Sequence, residues 1–139
     1  NPEKEKPLPA GSEWRSADIS VATLSEEPTY TLIHLAPLWL LPELLQRSSA
    51  CLPERIIAFG STSRISKAAS SNEYERNIAE KLALAEDKIA RLAEEHAIPW
   101  TIFRPTLIYG AGLDKNISTI ARFVQRFGFF PLIGGATGK

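Results

Sequence analysis

One helical stripe, and the two apolar runs that flank it, limit how this chain can fold. Ile78, Leu82, Ala85, Ile89, Leu92 and His96 recur at alternating steps of three and four, which brings them to one face of an α-helix. That helix is expected from about Asn72 to His96, with Ser70 and Glu73 as a capping box at its start. Before it stands RIIAFGSTSR, a short β-rich run ending in small polar residues, as a buried parallel strand does. After it comes WTIFRPTLI, a second strand from Trp100 to Ile108. Strand, crossover helix and strand make a βαβ unit, whose strands run parallel.

The rest of the chain extends that pattern. TYTLIHLAP is a strand ended by Pro37, and LLPELLQRSS a helix with Pro42 tolerated in its first turn. SEWRSADIS alternates and reads as a strand, with Asp18 near its C-terminal end. A second amphipathic helix carries Ile117, Ile120, Ala121 and Val124 and stops at Gly128. The expected fold is α/β: an incomplete Rossmann-like three-layer fold, with a parallel sheet and helices on both faces. Residues 1–10 are charged and proline-rich and read as a poorly ordered tail, leaving 11–139 as the domain. In such sheets ligands bind outside the carboxyl ends of the strands. Here those ends read HLAP, GSTS and RPTLIYG.

Charge and composition narrow the partners. Sixteen basic residues balance sixteen acidic ones, so electrostatics give no case for nucleic acid or an anionic membrane. TLIHLAPLWLLPELL is interrupted by His34, Pro37, Pro42 and Glu43 and is too short to span a bilayer. The first residues lack the apolar core of a signal peptide. The single Cys51 can form no internal disulfide and fits a reducing, cytoplasmic compartment. Neither histidine has a cysteine or carboxylate at metal spacing, so no metal site is expected. His34, on an apolar strand, reads as a satisfied core imidazole. The sequence contains no methionine, which is expected of a processed chain or a piece of a longer one.

The three strand ends together resemble the extended and atypical short-chain dehydrogenase/reductase family, in its NAD-dependent epimerase/dehydratase-like branches. HLAP, His34 to Pro37, resembles the segment after the family's fourth strand, whose backbone passes the cofactor ribose. GSTS, Gly60 to Ser63, resembles the serine-rich end of the fifth strand. RPTLIYG, Arg104 to Gly110, resembles the end of the sixth, where the chain meets the nicotinamide side. The resemblance implies NAD or NADP as cofactor and a small-molecule substrate such as a sugar nucleotide. It implies cofactor contacts from Asp18, Leu35, Ala36, Pro37, Ser61, Lys81, Pro105, Thr106 and Tyr109, and catalytic roles for Thr62 and Lys81. It also suggests a homodimer formed through the helices 72–96 and 116–128.

The departures matter as much. No G-x-x-G-x-x-G or G-x-G-x-x-G occurs near the start of the chain, and terminal GGATGK does not have phosphate-loop spacing. Where the family has a Y-x-x-x-K pair, Lys81 is preceded four residues earlier by Asn77, whose amide cannot act as a general acid. Tyr74 lies a further three residues back. Redox catalysis by this chain alone is therefore not expected. A bland reading stands beside each candidate. Ser61, Thr62 and Ser63 suit a strand–loop junction where hydroxyls satisfy backbone groups, Lys81 suits a solvated helix face, and Arg104 suits a structural role. Two alternatives to an enzyme remain: a non-catalytic cofactor-binding protein and a dimerising interaction module.

Overall fold

The computed structural model describes residues 9–13, 15–24, 30–106, 108 and 117–129. The chain divides into two compact units, Asn1–Arg104 and Pro105–Lys139.

The first unit is α/β. Its strands β1 (Thr31–His34), β2 (Arg55–Phe59) and β3 (Trp100–Phe103) form one parallel sheet in the order β1-β2-β3. Helix α1 (Leu41–Arg47) connects β1 to β2, and α3 (Glu73–Glu95) connects β2 to β3. Both connections step across the sheet in the same direction. Right-handed crossovers then lay both helices on the same face, where they pack against each other. The register sets Leu32 beside Ile56, and His34 beside Ala58 and Ile102, on that covered face. Leu41, Leu44 and Leu45 of α1 and Leu82, Ala85 and Ile89 of α3 close the core over them. The alternate residues point the other way: Ile33 beside Ile57 and Thr101, and Phe59 beside Phe103, whose rings stack 5.3 Å apart.

Helix α1 carries Pro42 in its first turn, as the sequence predicts, because the N–H that proline lacks has no helical acceptor there. It is entered through a 3-10 turn, Leu38–Leu40, whose Leu38 reaches the core. The N-cap of helix α3 lies two residues later than expected. Asn72 accepts the Tyr74 N–H at 2.9 Å, while Ser70 donates to Glu75, so the capping box of Ser70 with Glu73 does not form. The helix ends in a full Schellman motif: the Ile98 N–H reaches the Ala93 carbonyl at 2.7 Å and the Ala97 N–H reaches Glu94 at 3.2 Å. Ala97 occupies the left-handed position, φ 54°, that glycine usually takes.

Two other expectations need correction. SEWRSADIS forms no strand among its described residues. Residues 15–24 instead run as an irregular strap whose backbone is satisfied by α1. Arg47 donates to the carbonyls of Ile19 (2.7 Å) and Ala22 (3.1 Å), and Ser48 accepts the Leu24 N–H at 2.8 Å. With the Ile19 and Ala22 carbonyls committed to a guanidinium, that part of the strap does not join a ladder. The strand expected over Trp100–Ile108 ends at Phe103, where Arg104 turns toward α3. A four-residue helix, α2 (Ser63–Ser66), occupies what reads in sequence as loop.

The second unit contains α4 (Ile117–Phe127). Ile117, Ile120 and Val124 fall on one side of it by helical spacing. Gly128, at φ 74°, stops it and donates its N–H to the Val124 carbonyl at 2.8 Å.

Candidate functional site

The carboxyl edge of the sheet is organised around one buried carboxylate. Gly60 continues β2 by donating its N–H to the Phe103 carbonyl at 2.8 Å. A Cβ on Gly60 would lie 3.3 Å from Glu86 Oε1, 3.3 Å from Leu38 Cδ2 and 3.5 Å from Ile102 Cγ2. A larger residue would therefore press into the carboxylate and two core side chains. Glu86 itself is 5% exposed, on the buried stripe of α3 with Ala79, Leu82, Ile89 and Ala93.

A buried carboxylate requires compensation, and Arg104 supplies most of it. Its Nε donates to both oxygens of Glu86, at 2.9 and 3.1 Å, and its Nη2 donates to Oε2 at 2.6 Å. This is a bidentate, charge-assisted pair. The carboxylate in turn raises the Arg104 pKa above its ordinary value, mainly through that hydrogen bonding, so the guanidinium stays charged. Arg64 brings its Nε to 3.1 Å from Oε2 and its Nη2 to 3.6 Å from Asp87. The Arg64 Nε–H is close enough for charge attraction but is not directed at the oxygen, so it is an ion pair without a hydrogen bond. One carboxylate thus ties together α2, α3 and the end of β3.

The GSTS residues lie beside this cluster. Ser61 Oγ donates to Ser63 Oγ and accepts the Ser63 N–H, both at 3.1 Å. The Thr62 carbonyl accepts the N–H groups of Ile65 and Ser66, opening α2. These hydroxyls and carbonyls do the junction work expected of such residues, and Ser61 and Thr62 remain half-buried at the strand end. At the end of β1, His34 is buried, with its Nε2 3.3 Å from the Pro37 carbonyl. Burial lowers its pKa, offset in part by that contact, so the imidazole is a core group in its neutral form. Leu35 and Pro37 are exposed and Ala36 half-buried, on the loop beside the end of β2.

Lys81 is not brought to Thr62. It lies on the flank of α3 with its ammonium 6.0 Å from the centre of the Trp39 ring. Together with Pro42, Glu43, Leu84 and Lys88 these two residues line a cleft of about 230 Å³. Asn77 is nine positions before Glu86, a rotation of roughly 180° at 3.6 residues per turn. Asn77 thus faces away from the buried carboxylate, into a cleft it shares with Arg64, Arg76 and Glu80. Tyr74 is exposed, two helical turns before Lys81 on the same flank.

Asp18 lies apart from the strand ends. It closes a tight turn by accepting from the Ser20 N–H at 2.9 Å and the Ser20 hydroxyl at 2.7 Å, which lowers its pKa. The strap that carries it is tied to the C-terminal end of α1, the end that returns to the amino edge of the sheet. Pro105 is half-buried and Thr106 exposed, while Tyr109 lies outside the described residues. Among the described residues no group of three or more His, Cys, Asp or Glu side chains is placed to hold a metal ion. No helix there is long and apolar enough to cross a membrane.

Glu86 is the residue sequence reading passes over, yet its signal is present. It stands in phase with Ala79, Leu82, Ile89 and Ala93, and a carboxylate inside an apolar stripe calls for a buried cation.

An implied dinucleotide can be tested against these residues. Small and hydroxyl side chains at adjacent strand ends suit close approach of a flat ring and a ribose. The described residues include such side chains at the strand ends and no glycine-rich turn of the kind that holds a pyrophosphate. Compared with known family models, curated proteins and solved structures, the chain finds no match.

Proposed function

We propose that this chain forms the nicotinamide-side half of an NAD(P) site in an oxidoreductase or epimerase-like protein similar to the short-chain dehydrogenase/reductases. One observation supports the reading most. Parallel pairing of β1, β2 and β3 in that order sets Leu35–Pro37, Gly60–Ser63 and Arg104 at neighbouring positions on one edge. That edge is where open α/β sheets bind ligands. In this reading Ser61 and Thr62 face the reacting end of the ligand and Leu35, Ala36 and Pro37 pass its ribose. A cytoplasmic setting, with Cys51 reduced, and a small substrate such as a sugar nucleotide go with it.

The chain alone does not turn over a substrate in this proposal. Asn77 has no proton to give at neutral pH, and Lys81 is engaged with Trp39 instead of a tyrosine. Those two observations favour a second reading, a cofactor-binding module without catalysis. For a dimer through both helices, α3 offers an outer face of Glu80, Leu84, Asp87, Lys88 and Arg91, which is mostly charged. The apolar side of α4 would have to carry such a pairing.

The test is a titration with NADH and NADPH, following energy transfer from Trp39 and Trp100 to bound nicotinamide. A half-site without the pyrophosphate turn should saturate weakly, on the order of 1 mM, and saturation at micromolar concentration would mean that a second copy completes the site. Absence of any saturable signal into the millimolar range sinks the cofactor reading in both its forms.

A further inference from the structure

Glu86 uses only one side of Arg104. A guanidinium is planar and carries five N–H donors arranged along its edges. The Nε and Nη2 edge is taken by the buried carboxylate. The donors on Nη1, with the second on Nη2, form another edge that must point away from Glu86. No described residue hydrogen-bonds or pairs with that edge. The Arg104 side chain is 39% exposed, so solutes reach it.

The charge balance points the same way. Two guanidinia converge on the single carboxylate of Glu86, and Arg64 has a second acidic neighbour in Asp87 at 3.6 Å. Arg104 has no second acidic neighbour among the described residues. It is thus the surplus cation of the cluster, and the clamp removes the rotamer freedom that usually weakens an arginine's grip on a ligand.

We propose that Arg104 is an anion-binding residue. Held along one edge by Glu86, it presents the other to a carboxylate or phosphoryl group of the ligand at the strand ends. The inference deepens the proposed ligand site by giving its ligand an anionic group, but it predicts binding of the anion without any nicotinamide.

The test uses the intact chain labelled with ¹⁵N and follows the arginine Nε–H resonances, with the Arg104 signal assigned by its loss in Arg104→Lys. Inorganic phosphate and malonate are titrated separately at fixed ionic strength, because exposed charge is screened by salt. The expected result is a saturable shift of the Arg104 resonance with a dissociation constant on the order of 1 mM. A response to phosphate alone identifies a phosphoryl ligand, and a response to malonate alone identifies a carboxylate. Arg104→Lys, which keeps a charge near Glu86 but lacks the second edge, should weaken binding about tenfold or more, read from backbone amide shifts. The control Arg91→Lys, on the outer face of α3, should leave it unchanged. No saturable shift with either anion overturns the proposal, as does equal weakening in the two variants. Should Arg104→Lys fail to fold, the wild-type resonance still decides. Because no nicotinamide is present, these outcomes are independent of the NADH titration.

Discussion

The two faces of the sheet are built from alternate residues of the same strands, yet they behave differently. On one face Ile56 and Ala58 are fully buried beneath α1 and α3. On the other, Ile33 is 58% exposed and Phe59 and Phe103 shield mainly each other. Parallel sheets are usually buried on both sides, and their strands read as continuous apolar runs for that reason. The strand sequences TLIH, RIIAF and WTIF satisfy that rule on both faces. Among the described residues the first unit's crossover helices cover only one, because two crossovers stepping in one direction return on the same side.

Stability should follow this asymmetry. Ile56→Ala, on the covered face, should cost about 3–4 kcal/mol by the usual penalty for emptying a closed core site. Comparable losses from Ile56→Ala and Ile33→Ala in urea unfolding would break the contrast between the faces. Glu86→Ala comes next. Removing a buried partner is normally worth 3–5 kcal/mol. Because the arginines are 29% and 39% exposed and water can rescue them, about 2–3 kcal/mol is expected here. A loss below about 0.5 kcal/mol would mean that the carboxyl edge is held by its backbone alone.

A third effect depends on pH. His34 has a folded pKa below its ordinary 6.5, so the unfolded chain binds the extra proton first as pH falls. Its contribution is complete above pH 6.5 and is lost on acidification toward the lowered folded value. The Glu75 carboxylate, held below its ordinary value chiefly by its hydrogen bond from Lys67, acts at lower pH and does not obscure that window. His34→Gln keeps a donor for the Pro37 carbonyl and cannot titrate, so its midpoint should be flat there. An unchanged slope in the variant would assign the pH dependence to another group. Ala97→Gly should then stabilise by about 0.5–1 kcal/mol, since an alanine at φ 54° carries the left-handed penalty that glycine avoids. Smallest of all, Ile33→Thr on the open face should stay within about 0.5 kcal/mol of the parent.

The readable parts of the sequence were those where period and composition agree. The α3 stripe, Pro42 at the start of α1, the β2 run and the Gly128 stop each follow from one local rule. The misses have physical causes. The buried centre of α3 runs through Ala79, Glu86 and Ala93, two small residues and a charge, and so it is hidden behind the larger Ile78 and Leu92 beside it. SEWRSADIS has strand-like alternation, but Arg47 takes the Ile19 carbonyl, and that of Ala22 just beyond, from a distant helix, and no local pattern reports that. Asn72 outcompetes Ser70 as the cap because Ser70 is drawn to Glu75. At the candidate site the strand ends were legible, whereas the clamp that orders them joins residues 18 positions apart on two elements.

The central place of β2 also has a consequence for the order of assembly. Among the described residues β1 and β3 have no sheet partner other than β2, and β3 reaches it only across the whole of α3. Closing that connection costs little extra entropy once α3 is formed, because a helix of 23 residues with both ends capped shortens the span that must be searched. Refolding should therefore show helix first and the last strand late. The indole of Trp100, which opens β3, would report that final step while Trp39 reports the earlier one.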